Sequence, residues 1–162
     1  MTRVPIKNWV HANICVRDME QTIPFYEMLG FEKFSDLIFE DSSDCWRGLG
    51  VPPGQKDRRF RAVFMRIPNV ERPILDIIQF LDPSTAGEPY PTLTNVGTCR
   101  LCFEVDDIDA VAKLLADNGV EMVSSVARYE TSEGVAPNGQ GARFLCFRDP
   151  DGTFLEYVSF RK

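Results

Sequence analysis

The chain carries one histidine, His11. An iron site made of two histidines and a carboxylate therefore cannot be assembled from a single copy. Cations are also scarce: 18 Lys and Arg face 24 Asp and Glu, for a formal net charge of −6. Recognition of nucleic acid needs clustered cations against phosphate, so no nucleic-acid partner is expected. The one basic run, Lys56-Asp57-Arg58-Arg59-Phe60-Arg61, reads as a solvated loop entering a strand. No apolar stretch approaches the roughly 20 residues that span a bilayer. The first residues, Met1-Thr2-Arg3-Val4-Pro5-Ile6-Lys7, lack an apolar signal core. Neither membrane insertion nor export is expected. Cysteines are few and odd in number: Cys15, Cys45, Cys99, Cys102 and Cys146. Without a secretory context they read as reduced thiols of a cytoplasmic protein. Cys99 and Cys102 have C-x-x-C spacing but no second ligand pair. They lie in an apolar strand pattern whose alternation turns the two thiols to opposite faces.

What is present is an ordinary globular composition. In 162 residues, 44% are hydrophobic and 26% charged, enough for a packed core and against disorder. The two halves of the chain match each other. His11 and Arg100, Asp18 and Asp107, and Gly30 and Gly119 are each 89 positions apart, and a constant offset marks a duplicated unit. Each copy opens with an alternating strand. An aspartate follows where a helix N-cap belongs, then a helix, then a glycine suited to the left-handed conformation that ends a helix. Pro24 interrupts the first helix pattern and is expected to cost stability or kink it. Leu75-Asp76-Ile77-Ile78-Gln79-Phe80 matches Leu155-Glu156-Tyr157-Val158-Ser159-Phe160 at an offset of 80. Phe64 to Ile67 is aligned with Phe144 to Phe147 at the same offset. On that alignment a nine-residue excess lies in the first half between helix and third strand, at Ile38 to Arg58. Asp149-Pro150-Asp151-Gly152 turns the last hairpin. The reading is one α+β domain over 1–162, built as two tandem βαβββ modules, 8–82 and 97–162, joined by a linker, 83–96.

A strand-opening His, an Asp-capped helix ending in Leu29-Gly30-Phe31, and a closing Asp149-Pro150-Asp151-Gly152 followed by Leu155-Glu156 resemble the vicinal-oxygen-chelate family, the glyoxalase and bleomycin-resistance relatives. The resemblance spans nearly the whole chain. It implies a curved, cupped sheet of eight strands with flanking helices, and a homodimer. It also implies four cavity-facing positions on the first and last strands of the modules, which fall on His11, Asp76, Arg100 and Glu156. Metal-binding relatives usually place a second His where Arg100 stands. Arginine has no lone pair for a metal, and its fixed charge opposes a nearby dication.

The expectation is therefore a metal-independent small-molecule lyase or isomerase, not an extradiol dioxygenase. Arg100 would replace the metal's charge and hold a substrate oxygen, while His11 or Glu156, with Asp76, moves a proton. The alternatives are a non-catalytic drug- or toxin-binding protein, and a divalent-metal enzyme with His11, Asp76 and Glu156 as ligands. A third reading is a disused site filled by an ion cluster. Strand alternation adds Asn13 and Cys15 to the face of His11, and Cys102 and Glu104 to that of Arg100. Ile74, Ile78 and Phe80 join Asp76, and Phe154, Val158 and Phe160 join Glu156. Trp46 would either cover the pocket mouth or pack its own loop down.

Overall fold

The computed structural model describes residues 3–40, 44–50, 58–97, 100–129 and 141–160. The chain divides into two compact units, 1–87 and 88–162, each with one four-stranded sheet.

In the first unit the order along the chain is β1 (His11–Cys15), α1 (Met19–Met28), β2 (Glu32–Glu40), a short α2 (Cys45–Gly48), β3 (Arg59–Arg66) and β4 (Ile74–Asp82). The sheet order is β1-β4-β3-β2, with β1 parallel to β4 and the other pairs antiparallel. Asp18 ends the strand and starts the helix: its backbone is extended, and its carboxylate accepts the Glu20 N–H at 2.9 Å. Gly30, at φ +97°, closes the helix. The helix runs through Pro24 to Met28, with the proline on the solvent side. Met19, Thr22, Ile23 and Tyr26 are buried. They lie on the sheet face of Val63, Met65, Leu75 and Ile77, as the bonds from α1 to Gln79 and Arg61 show.

The second unit repeats the plan as β5 (Leu101–Glu104), α3 (Ile108–Asp117), β6 (Ala127–Tyr129), β7 (Ala142–Arg148) and β8 (Phe154–Phe160), in sheet order β5-β8-β7-β6. Strands β5 and β8 are parallel. Asp107 accepts the N–H groups of Asp109 and Ala110 at 3.1 and 3.0 Å, and Gly119 ends the helix at φ +68°. The Asp149 carboxylate accepts from the Asp151 and Thr153 N–H groups, which shapes the last hairpin. Both βαβββ modules expected from the repeat are present. Among the described residues no helix is long and apolar enough to cross a membrane.

The strand registers correct one expectation. Asp76 pairs with Phe64, and Glu156 pairs with Cys146. Phe64 therefore corresponds to Cys146, 82 positions on, rather than to Phe144. The cause is the hairpin: residues 67–73 connect the first pair of strands and 149–153 the second. Of the nine extra residues, seven precede β3 and two lie in this turn. The shift is even, so side chains keep their faces.

On the helix side of the first sheet, Arg61 grips Asp36 through two bonds of 2.8 Å and also reaches Glu20. The Arg61 guanidinium first, and then Lys33, hold the Asp36 carboxyl at about 2 against the opposing effect of burial. A carboxyl depressed on folding contributes stability above its unfolded value near 3.8 and loses it as pH falls through the folded value. Asp36→Asn is expected to cost about 1 kcal/mol at pH 7 after allowance for screening. In urea unfolding the deficit shrinks between about pH 4 and pH 2. A deficit unchanged at pH 2 contradicts the assignment.

Candidate functional site

The first and last strands of each unit are neighbours, and this adjacency brings the residues of interest together. In the first unit Asn13 and Asp76 are direct partners on the parallel ladder. His11 Nε2 lies 3.9 Å from Asp76 Oδ2, with the imidazole 48% exposed and the carboxylate 13%. The Asn13 amide donates to the Asp76 main-chain carbonyl at 3.1 Å. Asp76 Oδ1 is buried and has no hydrogen-bond partner among the described residues. Burial pushes the Asp76 carboxyl above its ordinary value, against the smaller opposing effects of Asn13 and His11. Cys15, on the same face, lies 3.8 Å from the Thr85 hydroxyl.

The rest of that face is apolar. Trp46, Phe60, Ala62 and Ile78 form a buried cluster with Phe39, Phe64 and Phe80 against it. Trp46 is 1% exposed. Its indole N–H donates to the Glu40 carbonyl at 3.1 Å, and the Arg58 guanidinium lies 5.0 Å from its ring centroid. Trp46 is thus packed within this cluster rather than open to solvent. Phe80 is half-buried beside it.

In the second unit Arg100 Nε donates to Glu156 Oε2 at 2.7 Å. Glu156 is 7% exposed and Arg100 34%. Cys102 is the ladder partner of Glu156 on β5, and Cys146 is its partner on β7. The Cys146 thiol donates to Glu156 Oε2 at 3.5 Å. Burial, and then Glu156, push the Cys102 thiol up to about 12 and the Cys146 thiol up to about 11, so both stay protonated at neutral pH. Glu104 and Phe160 share the Glu156 face by alternation and are not bonded to it in any contact described. Cys99 lies outside the described residues, and so does one half of the C-x-x-C spacing.

Sequence reasoning passed over Cys146 and Phe64, the β7 and β3 partners of Glu156 and Asp76. The signal was there in the unequal hairpins, 67–73 and 149–153.

The sequence profile of the Glyoxalase/Bleomycin resistance protein/Dioxygenase superfamily matches residues 10–136. The chain belongs to that superfamily. No curated protein matches it in sequence. Solved structures share its fold. A glyoxalase family protein from Bacillus cereus is 20% identical, with a TM-score of 0.82 over 100% of this chain and 99% of that one. A glyoxalase/dioxygenase from Nostoc punctiforme is 18% identical, with a TM-score of 0.64 over 100% and 98%. The trypanothione-dependent glyoxalase I of Leishmania major is 16% identical, with a TM-score of 0.61 over 95% and 87%.

Members of this superfamily often bind a metal. Among the described residues no group of three or more His, Cys, Asp or Glu is placed to hold one. His11 and Asp76 offer two suitable donors. Glu156 already meets a guanidinium at 2.7 Å, and a dication at that carboxylate would face the full arginine charge. The second-unit pair does not fit a metal.

Asp76 gives this site a testable cost. A carboxyl raised on folding loses stability as pH climbs from 3.8 through its folded value. Asp76→Asn is therefore expected to raise the thermal unfolding midpoint at pH 7, with no difference from the parent below pH 3.8. An equal or lower midpoint at pH 7 contradicts the burial argument.

Proposed function

We propose that the chain is a metal-independent lyase or isomerase acting on a small carbonyl compound. The observation that carries this reading is the Arg100–Glu156 pair, 2.7 Å apart, with a buried carboxylate and a guanidinium one-third open to solvent. Glu156 takes a proton from the carbon beside a carbonyl. The bonding pair passes to the carbonyl oxygen, and Arg100 stabilises the resulting enolate with its charge and planar donor fork. Return of the proton to the opposite face of the same carbon gives an epimer. Where that carbon bears a hydroxyl, passage of the hydroxyl proton to the former carbonyl oxygen and return of the first proton to the former carbonyl carbon gives a carbonyl isomer. Where the carbon beyond it bears a leaving group, the enolate pair returns to form the alkene as that group departs with its bonding electrons. Superfamily membership supports a small-molecule ligand, and the first unit by itself offers an apolar face around Asp76.

That apolar face also favours a second reading, a non-catalytic protein that sequesters an aromatic drug or toxin. Phe64 and Phe80 are half-buried there beside the Trp46 cluster.

Incubating the protein with a panel of small carbonyl compounds in D2O and following exchange at the α-carbon by NMR separates the two. Enzyme-dependent exchange is expected with one chemical class, falling about 100-fold or more in Arg100→Met. Full exchange in Arg100→Met contradicts the mechanism. Stoichiometric binding without exchange selects the sequestering protein.

A further inference from the structure

The second unit surrounds Glu156 with two thiols. Cys102 precedes it on the parallel ladder and Cys146 faces it across the hairpin. Cys146 Sγ and Arg100 Nε both reach the same oxygen, Oε2, at 3.5 and 2.7 Å. A buried carboxylate needs its lone pairs met. A neutral thiol supplies a donor without adding a charge that would compete for Arg100.

The first unit shows what happens without them. The corresponding neighbours of Asp76 are Asn13 and Phe64. The Asn13 amide donates to the main-chain carbonyl and favours the Asp76 carboxylate less than burial opposes it, and Phe64 has nothing to donate. Asp76 Oδ1 is left buried without a partner among the described residues. The same backbone register thus carries a satisfied carboxylate in one unit and an unsatisfied one in the other, and the residues on the two flanking strands make the difference.

We propose that Cys102 and Cys146 are positioning residues whose S–H groups hold the Glu156 carboxylate from both sides in one orientation against Arg100. This assigns Cys102 a different task from contacting substrate. Its purpose rests on the reading of Glu156 as the proton carrier: a base held in one rotamer meets the substrate carbon without a search. The thiols are suited to this because they remain protonated, as their raised values require.

The test uses paired substitutions that separate a donor from a filler. Cys146→Ser keeps a donor and changes the packing. Cys146→Val keeps the apolar bulk and removes the donor. The readout is the Arg100 Nε–H resonance in ¹H–¹⁵N spectra of the whole chain, which reports its bond to Glu156 directly. The expected result is a resonance retained in Cys146→Ser and shifted or broadened in Cys146→Val. The same contrast is expected for Cys102→Ser and Cys102→Val. A resonance retained in both Val variants overturns the proposal, and so does one lost equally in Ser and Val at both sites, which would assign the cysteines to packing alone. The readout is independent of turnover. If Arg100→Met keeps full exchange activity, the proposed function fails while this resonance pattern stands or falls by itself.

Discussion

The parallel pairing of the first and last strand in each unit is the constraint on which the candidate site depends. A parallel pair cannot be closed by a tight turn; the chain must cross over and return. Here the crossover is a helix and two further strands, so residues more than fifty positions apart become ladder partners: Asn13 with Asp76, sixty-three apart, and in the second unit Cys102 with Glu156, fifty-four apart. The capped helix start at Asp18 and Asp107 and the glycine stops at Gly30 and Gly119 shape that crossover. Because both ladders share one register, a substitution at one position in either copy lands in the same local place.

The two copies have used that place differently. The first unit keeps His11 open to solvent beside a carboxylate with one unsatisfied oxygen, and backs them with an aromatic cluster. The second unit has a closed arrangement in which arginine and a thiol converge on one oxygen of Glu156. An unsatisfied buried oxygen is costly, and proteins retain such costs mainly where chemistry needs them. A guanidinium supplies the positive charge that a metal would bring, but with fixed geometry and no coordination chemistry. This is the physical basis for a proton-transfer reading in a superfamily whose members often use a metal.

Much of the fold was legible in the sequence. The aspartate caps and the glycine stops follow from local chemistry and a constant offset, and alternation assigns the faces of β4 and β8 correctly. The hairpin register was not legible from residue similarity, because Phe64 and Phe144 look alike while the turn lengths differ by two residues. Trp46 was ambiguous for a different reason. A tryptophan in a long insertion has no periodicity to place it, and its burial against Phe60 and Phe80 is a tertiary event. The bond from Cys146 to Glu156 joins two residues that only the corrected register makes neighbours.

In the proposed proton transfer Arg100, rather than a metal ion, provides the positive charge beside Glu156. The measurement closest to it is metal content together with α-carbon exchange, before and after exhaustive treatment with a chelator. No stoichiometric divalent ion and an unchanged exchange rate are expected. One equivalent of tightly held metal, whose removal abolishes exchange and whose return restores it, would rule out that role for Arg100.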